Sequence, residues 1–500
     1  LCTVNYYDNI MKNYNDLKNL FSEINVFNSI NSLLEWDMAT MMPKNSRKSR
    51  ISQINTINEN KKRIYEFIKK NQFFEKVEIE KLSKDDQRNL QLMQKKFDYF
   101  TVIPIELINK NSQLSFECEE MWRKARENNN FIIVKDKLSS LFEVVREKSK
   151  ILSDHWNKSE YDSLISLYDD SFTAKEIDAL FRNVELFVKP LLKQIEKEDR
   201  SPLTITKPLS EEEQFELSKY CMKKFGFDFS RGRVDKSLHP FCGGYHDDVR
   251  ITTRFEKNNL FSCFDALVHE TGHAIYELGL PKKFKNQPLG NAVGMCVHES
   301  QSLFLEMQIS KSREFNDFLE KVLRKKFKRK GKEWSSDNLF NLRSEVKRNF
   351  IRVDADEICY PLHIIHRFNI EKKLFIDNQS IKDLPDIWNF EFKKILNLDV
   401  KSDNQGCLQD IHWFSGAFGY FPSYCLGAMI AAQLKVFLSN HLMSYNDDVR
   451  KGNFKNIVLW LKDNIHSYGS KYNANQLLKK TTGKELSSVF YKDHLSKRYN

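Results

Sequence analysis

The chain has 500 residues and a formal net charge of +11. Hydrophobic residues make up 41% and charged residues 29%, enough apolar material for a sizeable core, which excludes general disorder. Only 16 glycines and 11 prolines occur, and no glycine precedes Gly226, so a many-stranded β fold is excluded and helices are expected.

The first residues lack a basic start followed by an apolar core, so no signal peptide is expected. Residues 5–35 carry Ile10, Leu17, Leu20, Phe21, Ile24, Phe27 and Leu34 at helical spacing, and Pro43 marks a break. Residues 48–200 read as long, charged amphipathic helices. A loop is expected over 200–210, where Ser210 and Glu213 form a capping-box signal for a helix ending at Gly226. Residues 226–247 read as irregular. Val249–Phe255, β-branched at nearly every second position, reads as one short strand whose edge could receive a substrate backbone. From about residue 258 the helical pattern resumes. The expectation is a single large, mainly helical (all-α) domain over 1–500 with a small β element near the active site. Within it lie a helical region 1–225, catalytic motifs in 226–430 and C-terminal helices in 431–500.

Nine scattered cysteines, with no Cys-x-x-Cys pair, fit a reduced cytoplasmic set. The apolar stretch near Gly427–Leu438 contains Lys435 and is too short to span a bilayer, so no membrane is expected. Residues 321–332 carry eight Lys or Arg and no acid. This run reads as a solvated helix face. A basic helical nucleic-acid-binding protein is the alternative of another class, weakened because Phe327 alone could stack on bases.

Eight of the 12 histidines fall between His239 and His412. Among them stands His269-Glu-Thr-Gly-His273. On a helix, positions i and i+4 share a face, so both imidazoles can reach one ion, with Glu270 beside it as a proton acceptor. A catalytic zinc site needs a third protein ligand. Glu277 lies one further turn along the same helix and cannot converge with both histidines. No acid follows between Leu278 and His298. Glu299 is therefore the first choice, from a neighbouring helix, and Glu306 the fallback one heptad on.

With these residues in place, the sequence resembles the carboxypeptidase Taq family of zinc metallocarboxypeptidases. The resemblance is carried by His239-Pro-Phe241, Asp248-Val-Arg-Ile-Thr252, His269-Glu-Thr-Gly-His273, His298-Glu-Ser-Gln301, Ile351-Arg-Val-Asp-Ala-Asp356 and Gly406-Cys-Leu-Gln-Asp-Ile-His-Trp413, and it covers nearly the whole chain. It implies an almost all-helical fold with two lobes around a deep substrate groove, and a homodimer. It implies release of single residues from free peptide C-termini with broad specificity. It implies Zn²⁺, with Co²⁺ a possible substitute, and it supports Glu299 as the third metal ligand beside His269 and His273. A related zinc oligopeptidase that cuts internally is the alternative within the class.

Roles follow from the chemistry such an enzyme needs. Glu270 takes a proton from water and returns it to the leaving amine. His412 and either Tyr420 or Tyr424 suit the donors that a tetrahedral oxyanion requires. Arg352 is the first choice for the substrate carboxylate, with Arg250 and Arg254 second, because a guanidinium binds carboxylates bidentately. His239 is a candidate for the pocket wall, and Asp356 for orienting a ligand imidazole.

Overall fold

The computed structural model describes residues 2–198, 201–237, 240–254 and 261–499. Among the described residues eight α-helices precede the sheet: α1 (Cys2–Thr40), α2 (Arg47–Asn71), α3 (Lys84–Val102), α4 (Ile105–Glu127), α5 (Ile132–Trp156), α6 (Glu160–Ile165), α7 (Ala174–Ile195) and α8 (Glu211–Phe225). Three short strands follow: β1 (Gly232–Lys236), β2 (Phe241–Tyr245) and β3 (Asp248–Thr253). Next come α9 (Ser262–Gly279), α10 (Met295–Leu303), α11 (Arg313–Phe327), α12 (Ser336–Arg343), α13 (Tyr360–Phe375) and α14 (Leu384–Leu396). The chain closes with α15 (Pro422–His441), α16 (Tyr445–Lys451), α17 (Lys455–Asn464), α18 (Ala474–Thr482) and α19 (Ser488–Tyr499). The mainly helical class expected from the glycine distribution is the one observed.

The chain divides into two compact units. One comprises Leu1–Thr101, Thr206–Val293 and Leu442–Asn473; the other comprises Val102–Ile205, Gly294–His441 and Ala474–Asn500.

In the first unit, the helical stripe of α1 packs as its spacing dictates. Tyr14, Leu17, Phe21 and Ile24 are buried against Ile64, Tyr65 and Ile68 of α2 and Leu90 and Met93 of α3. Each such side chain contributes on the order of 1.5–3 kcal/mol on burial. The Ser210 capping box is formed, and Gly226 ends α8 in the left-handed conformation at φ +91°.

The β element is larger than the single strand expected from sequence. The strand order is β1-β3-β2, with β1 parallel and β2 antiparallel to β3. The segment expected to be irregular thus supplies two strands. Its glycines hid them, and the structure shows why they are glycines. A Cβ on Gly232 would stand 2.7 Å from the Val249 carbonyl oxygen, and one on Gly244 (φ +99°) would stand 1.9 Å from that of Asp248. The edge role expected for 249–255 is overturned for its described part, because β3 is the central strand and is paired on both sides. Phe255 lies outside the described residues. The outer side of β2 meets α1, where the Gly244 N–H donates to Ser32 Oγ at 3.0 Å.

In the second unit, α15 is the apolar stretch noted in the sequence, and it is buried rather than lipid-facing. Among the described residues no helix is long and apolar enough to cross a membrane. Gly427 lets it lie close along α10. Helix α19 is anchored by a buried carboxylate: Glu357 accepts from His494 Nε2 (2.6 Å), Arg498 (2.8 Å) and the Tyr499 hydroxyl (3.3 Å). The basic run occupies the end of α11 and the loop after it. Lys321, Lys325, Lys326, Lys328, Lys330 and Lys332 are exposed, while Arg324 is tied to Glu320 at 2.7 Å.

Candidate metal centre

Helix α9 carries the His-Glu-x-x-His motif because one of its sides is committed to packing. Cys263, Leu267 and Ala274 are buried with Met222 of α8 and Val249 and Ile251 of β3, and Leu278 packs alongside. At 3.6 residues per turn, His269 and His273 fall on another side about 40° apart, with Glu270 about 60° beyond His273. Their rings stand 5.0 Å apart, edge to face. Glu270 and His273 are buried. The Glu270 charge is felt in β2: burial, and then Glu270, push the Cys242 thiol well above its usual range.

Glu299 sits on α10, which is fixed at its start and along its side. Gly294, at φ +50°, precedes the helix; a Cβ there would stand 2.2 Å from Asp169 Oδ2. The Cys296 thiol donates to that same oxygen at 2.7 Å, and the Met295 N–H donates to the Tyr168 carbonyl at 2.9 Å. Glu299 is buried, and its Oε1 accepts from the Tyr360 hydroxyl at 3.4 Å. After Leu303 the helix widens into a π-helical stretch, Phe304–Ser310. There Glu306 pairs with Lys311 at 2.8 Å.

The ligand atoms of His269, His273 and Glu299 all lie within 4.8 Å of one another, and no other such group occurs among the described residues. Two imidazoles and a carboxylate are a donor set for zinc, whose tetrahedral ligands stand about 3.4 Å apart at bond lengths near 2.1 Å. The residues present therefore fit a divalent ion in their donor chemistry. Neither Glu277 nor Glu306 belongs to the group.

A second cluster gathers His412, Tyr420, Tyr424 and Arg352. His412 Nε2 and the Tyr424 hydroxyl share a hydrogen bond of 3.1 Å, and Tyr420 bonds to Tyr424 in turn. Burial pushes the Tyr424 phenol up to about 12 despite the nearby Arg352. Burial also lowers His412 to about 3; Asp410 opposes this and Arg352 and Arg367 reinforce it, so the imidazole is neutral at ordinary pH. Glu299 acts electrostatically on both tyrosines.

Arg352 is buried and held by Asp410, with Nε to Oδ1 at 2.9 Å and a terminal nitrogen at 2.8 Å. Its guanidinium lies 4.9 Å from the centre of the Tyr424 ring. On its other oxygen Asp410 accepts from Arg367 at 2.7 Å. Burial alone would raise the Asp410 carboxyl, but the two guanidinium groups hold it far below the usual range. Arg250 makes a bidentate pair with Asp248 (2.9 and 2.8 Å) and stacks over Trp36. The Asp356 carboxylate is taken up by the backbone N–H groups of Lys347, Ile358 and Cys359. His239 lies outside the described residues.

The sequence left several participants unmarked. Asp410 stands two residues before His412 inside a motif already singled out, and its spacing was the available signal. Arg367 and Tyr360 carry no local signature. Gly427 was noted only as part of an apolar stretch, although a glycine inside a helical pattern is itself a sign of close packing.

Comparison with known proteins accords with this geometry. The family model described as carboxypeptidase Taq (M32) metallopeptidase matches residues 16–499. Carboxypeptidase 1 of Bacillus subtilis is 33% identical over 491 residues, covering 96% of this chain and 97% of that protein. Thermostable carboxypeptidase 1 of Pyrococcus furiosus is 30% identical, with 94% of each chain covered. Among solved structures, Trypanosoma cruzi metallocarboxypeptidase 1 superposes with a TM-score of 0.94 at 33% identity, over 98% of this chain and 100% of that one. The M32 carboxypeptidase of Deinococcus radiodurans gives 0.91 at 26%. The chain belongs to the M32 carboxypeptidase Taq family and is a metallocarboxypeptidase.

Proposed function

We propose that the chain is a zinc enzyme that releases single residues from peptide C-termini with broad specificity. The observation that carries this reading is the approach of His269, His273 and Glu299 to within 4.8 Å, with Glu270 next in sequence to one of them. The three would hold the ion, which when bound supplies Lewis acidity for the attack of water on the scissile carbonyl.

The remaining work falls to side chains. Glu270 accepts the proton of the attacking water and delivers it to the leaving amine. Neutral His412 and the Tyr424 hydroxyl offer hydrogen bonds to the developing oxyanion. Tyr424 suits this better than Tyr420, because it is the one bonded to His412. Arg352 receives the substrate carboxylate through the amino group that Asp410 does not engage. Arg250, committed to Asp248 and Trp36, serves at most as a rim contact.

We further infer a cytoplasmic homodimer. Among the described residues eight free cysteines, seven of them buried, suit a reducing compartment, and light scattering of the purified protein reads its oligomeric state.

Mass spectrometry of a defined free-acid peptide, incubated with and without a chelator, tests the activity. A ladder of products losing one C-terminal residue at a time, abolished by the chelator, is expected. Internal fragments would move the assignment to an oligopeptidase.

A further inference from the structure

Deep in the second unit lies a carboxylate that the chemistry above does not use. Glu371 of α13 is 0% exposed. Its Oε1 accepts from the Trp413 indole N–H at 2.7 Å. Its Oε2 accepts from the Tyr161 hydroxyl at 2.8 Å and from the Gly419 N–H at 3.0 Å. Among the described residues no cation pairs with it, and rings surround it: Tyr161 stacks on Phe375, and Trp413 on Phe418. An acid buried among rings without a counter-ion is costly, and apolar packing would stabilise the same space better.

The partners of Glu371 indicate what this acid does there. Trp413 adjoins His412, and Gly419 adjoins Tyr420. Gly419 is itself pinned, since at φ +85° a Cβ would stand 2.7 Å from the Leu164 carbonyl carbon. Glu371 thus clamps both sides of the loop that carries His412, Tyr420 and, at its end, Tyr424. We propose that Glu371 is a positioning residue for the hydrolysis, holding the segment 412–424 so that the His412–Tyr424 pair faces the reacting carbonyl. This rests on the carboxypeptidase reading.

The donor inventory makes the carboxylate hard to replace. Indole and backbone N–H groups only donate. In Glu371→Gln, either orientation of the amide sets its NH₂ against one of them. Burial already lifts this carboxyl to about 7. Tyr161, among the described residues the one titratable group bonded to it, is held neutral well above its usual range, and Arg367, one turn back on α13, is committed to Asp410.

The test compares wild type, Glu371→Gln and Tyr161→Phe, the last removing one donor with little change in shape. The readouts are kcat and KM on a free-acid peptide, bound metal, and hydrogen exchange of peptides spanning 412–424. For Glu371→Gln we expect a fall in kcat on the order of ten- to a hundredfold with KM and metal content retained, and faster exchange confined to that segment. For Tyr161→Phe we expect a smaller fall and an acid limb of the kcat profile displaced to higher pH. Wild-type kcat in Glu371→Gln, or a loss of kcat with unchanged exchange at 412–424, overturns the proposal. If Glu371→Gln does not fold, an unmoved acid limb in Tyr161→Phe overturns it. A wild-type protein that releases no C-terminal residue fails the carboxypeptidase reading instead, and the exchange data still report on the clamp.

Discussion

Gly427 of α15 stands directly against Glu299 of α10: a Cβ built on the glycine would lie 2.9 Å from both the Cβ and the Cγ of the glutamate. Those atoms are near the Glu299 backbone, so they cannot swing aside as the tip of a side chain could. The helix that looked from sequence like a simple apolar stretch therefore sets the position of a candidate metal ligand.

Gly427→Val should displace Glu299 and weaken metal retention by roughly ten- to a hundredfold, the range seen when groups that orient a ligand are lost. Gly427→Ala should do so less. Competition with a graded chelator measures this, and wild-type retention in the valine variant would refute the packing argument.

Glu270 and Glu299 should fail in different ways. Glu270→Gln should keep its metal and lose kcat by on the order of a hundredfold or more, as expected for a lost general base. Glu299→Ala should lose metal first. Elemental analysis after dialysis, set beside turnover, separates the two. A fully metallated Glu299→Ala protein would remove that residue from the donor set.

Arg352 is best tested by a change that keeps its charge, because reversal would leave two buried carboxylates face to face. Arg352→Lys retains a cation for Asp410 but lacks the planar fork. KM for free-acid peptides should rise about tenfold or more, while inhibition by the same peptides as C-terminal amides should hold. Equal losses for both would count against recognition of the chain end.

The anchoring of α19 predicts an acid dependence of stability. Burial would raise the Glu357 carboxyl, but Arg498 and His494 outweigh it and bring it down from 4.5 to about 2. A carboxyl lowered in the fold contributes its stability in full above its unfolded value, and that contribution is lost as pH falls from 4.5 toward 2. At 1.36 kcal/mol per unit it is worth roughly 3 kcal/mol. Glu357→Gln should narrow the gap in urea stability between pH 6 and pH 3. A gap unchanged from wild type would show that the carboxylate is not responsible.

Much of this was legible from residue spacing. The stripe on α1, the box at Ser210 and the stop at Gly226 are local signals with local causes, and the structure follows them. The two histidines on α9 were legible for the same reason, since a helix fixes what four residues' separation means. Glu299 could be reached only by exclusion, through the absence of acids before it. The rest depends on contacts distant in sequence. Nothing near Glu371 announces that Tyr161, Trp413 and Gly419 converge on it, and nothing near Gly232 says that a carbonyl 17 residues on will crowd it. Glycines that serve close approach within a sheet were mistaken for glycines that serve irregular turns.

The π-helical stretch after α10 decides where Glu306 ends up. On an unbroken α-helix, Glu306 would lie on the same face as Glu299, two turns and about 10 Å further along the axis. The wider i→i+5 turn beginning at Phe304 rotates Glu306 out of that line, toward Lys311. The wide turn thus separates two glutamates of one continuous helical stretch, leaving one to the candidate metal group and giving the other a cation of its own.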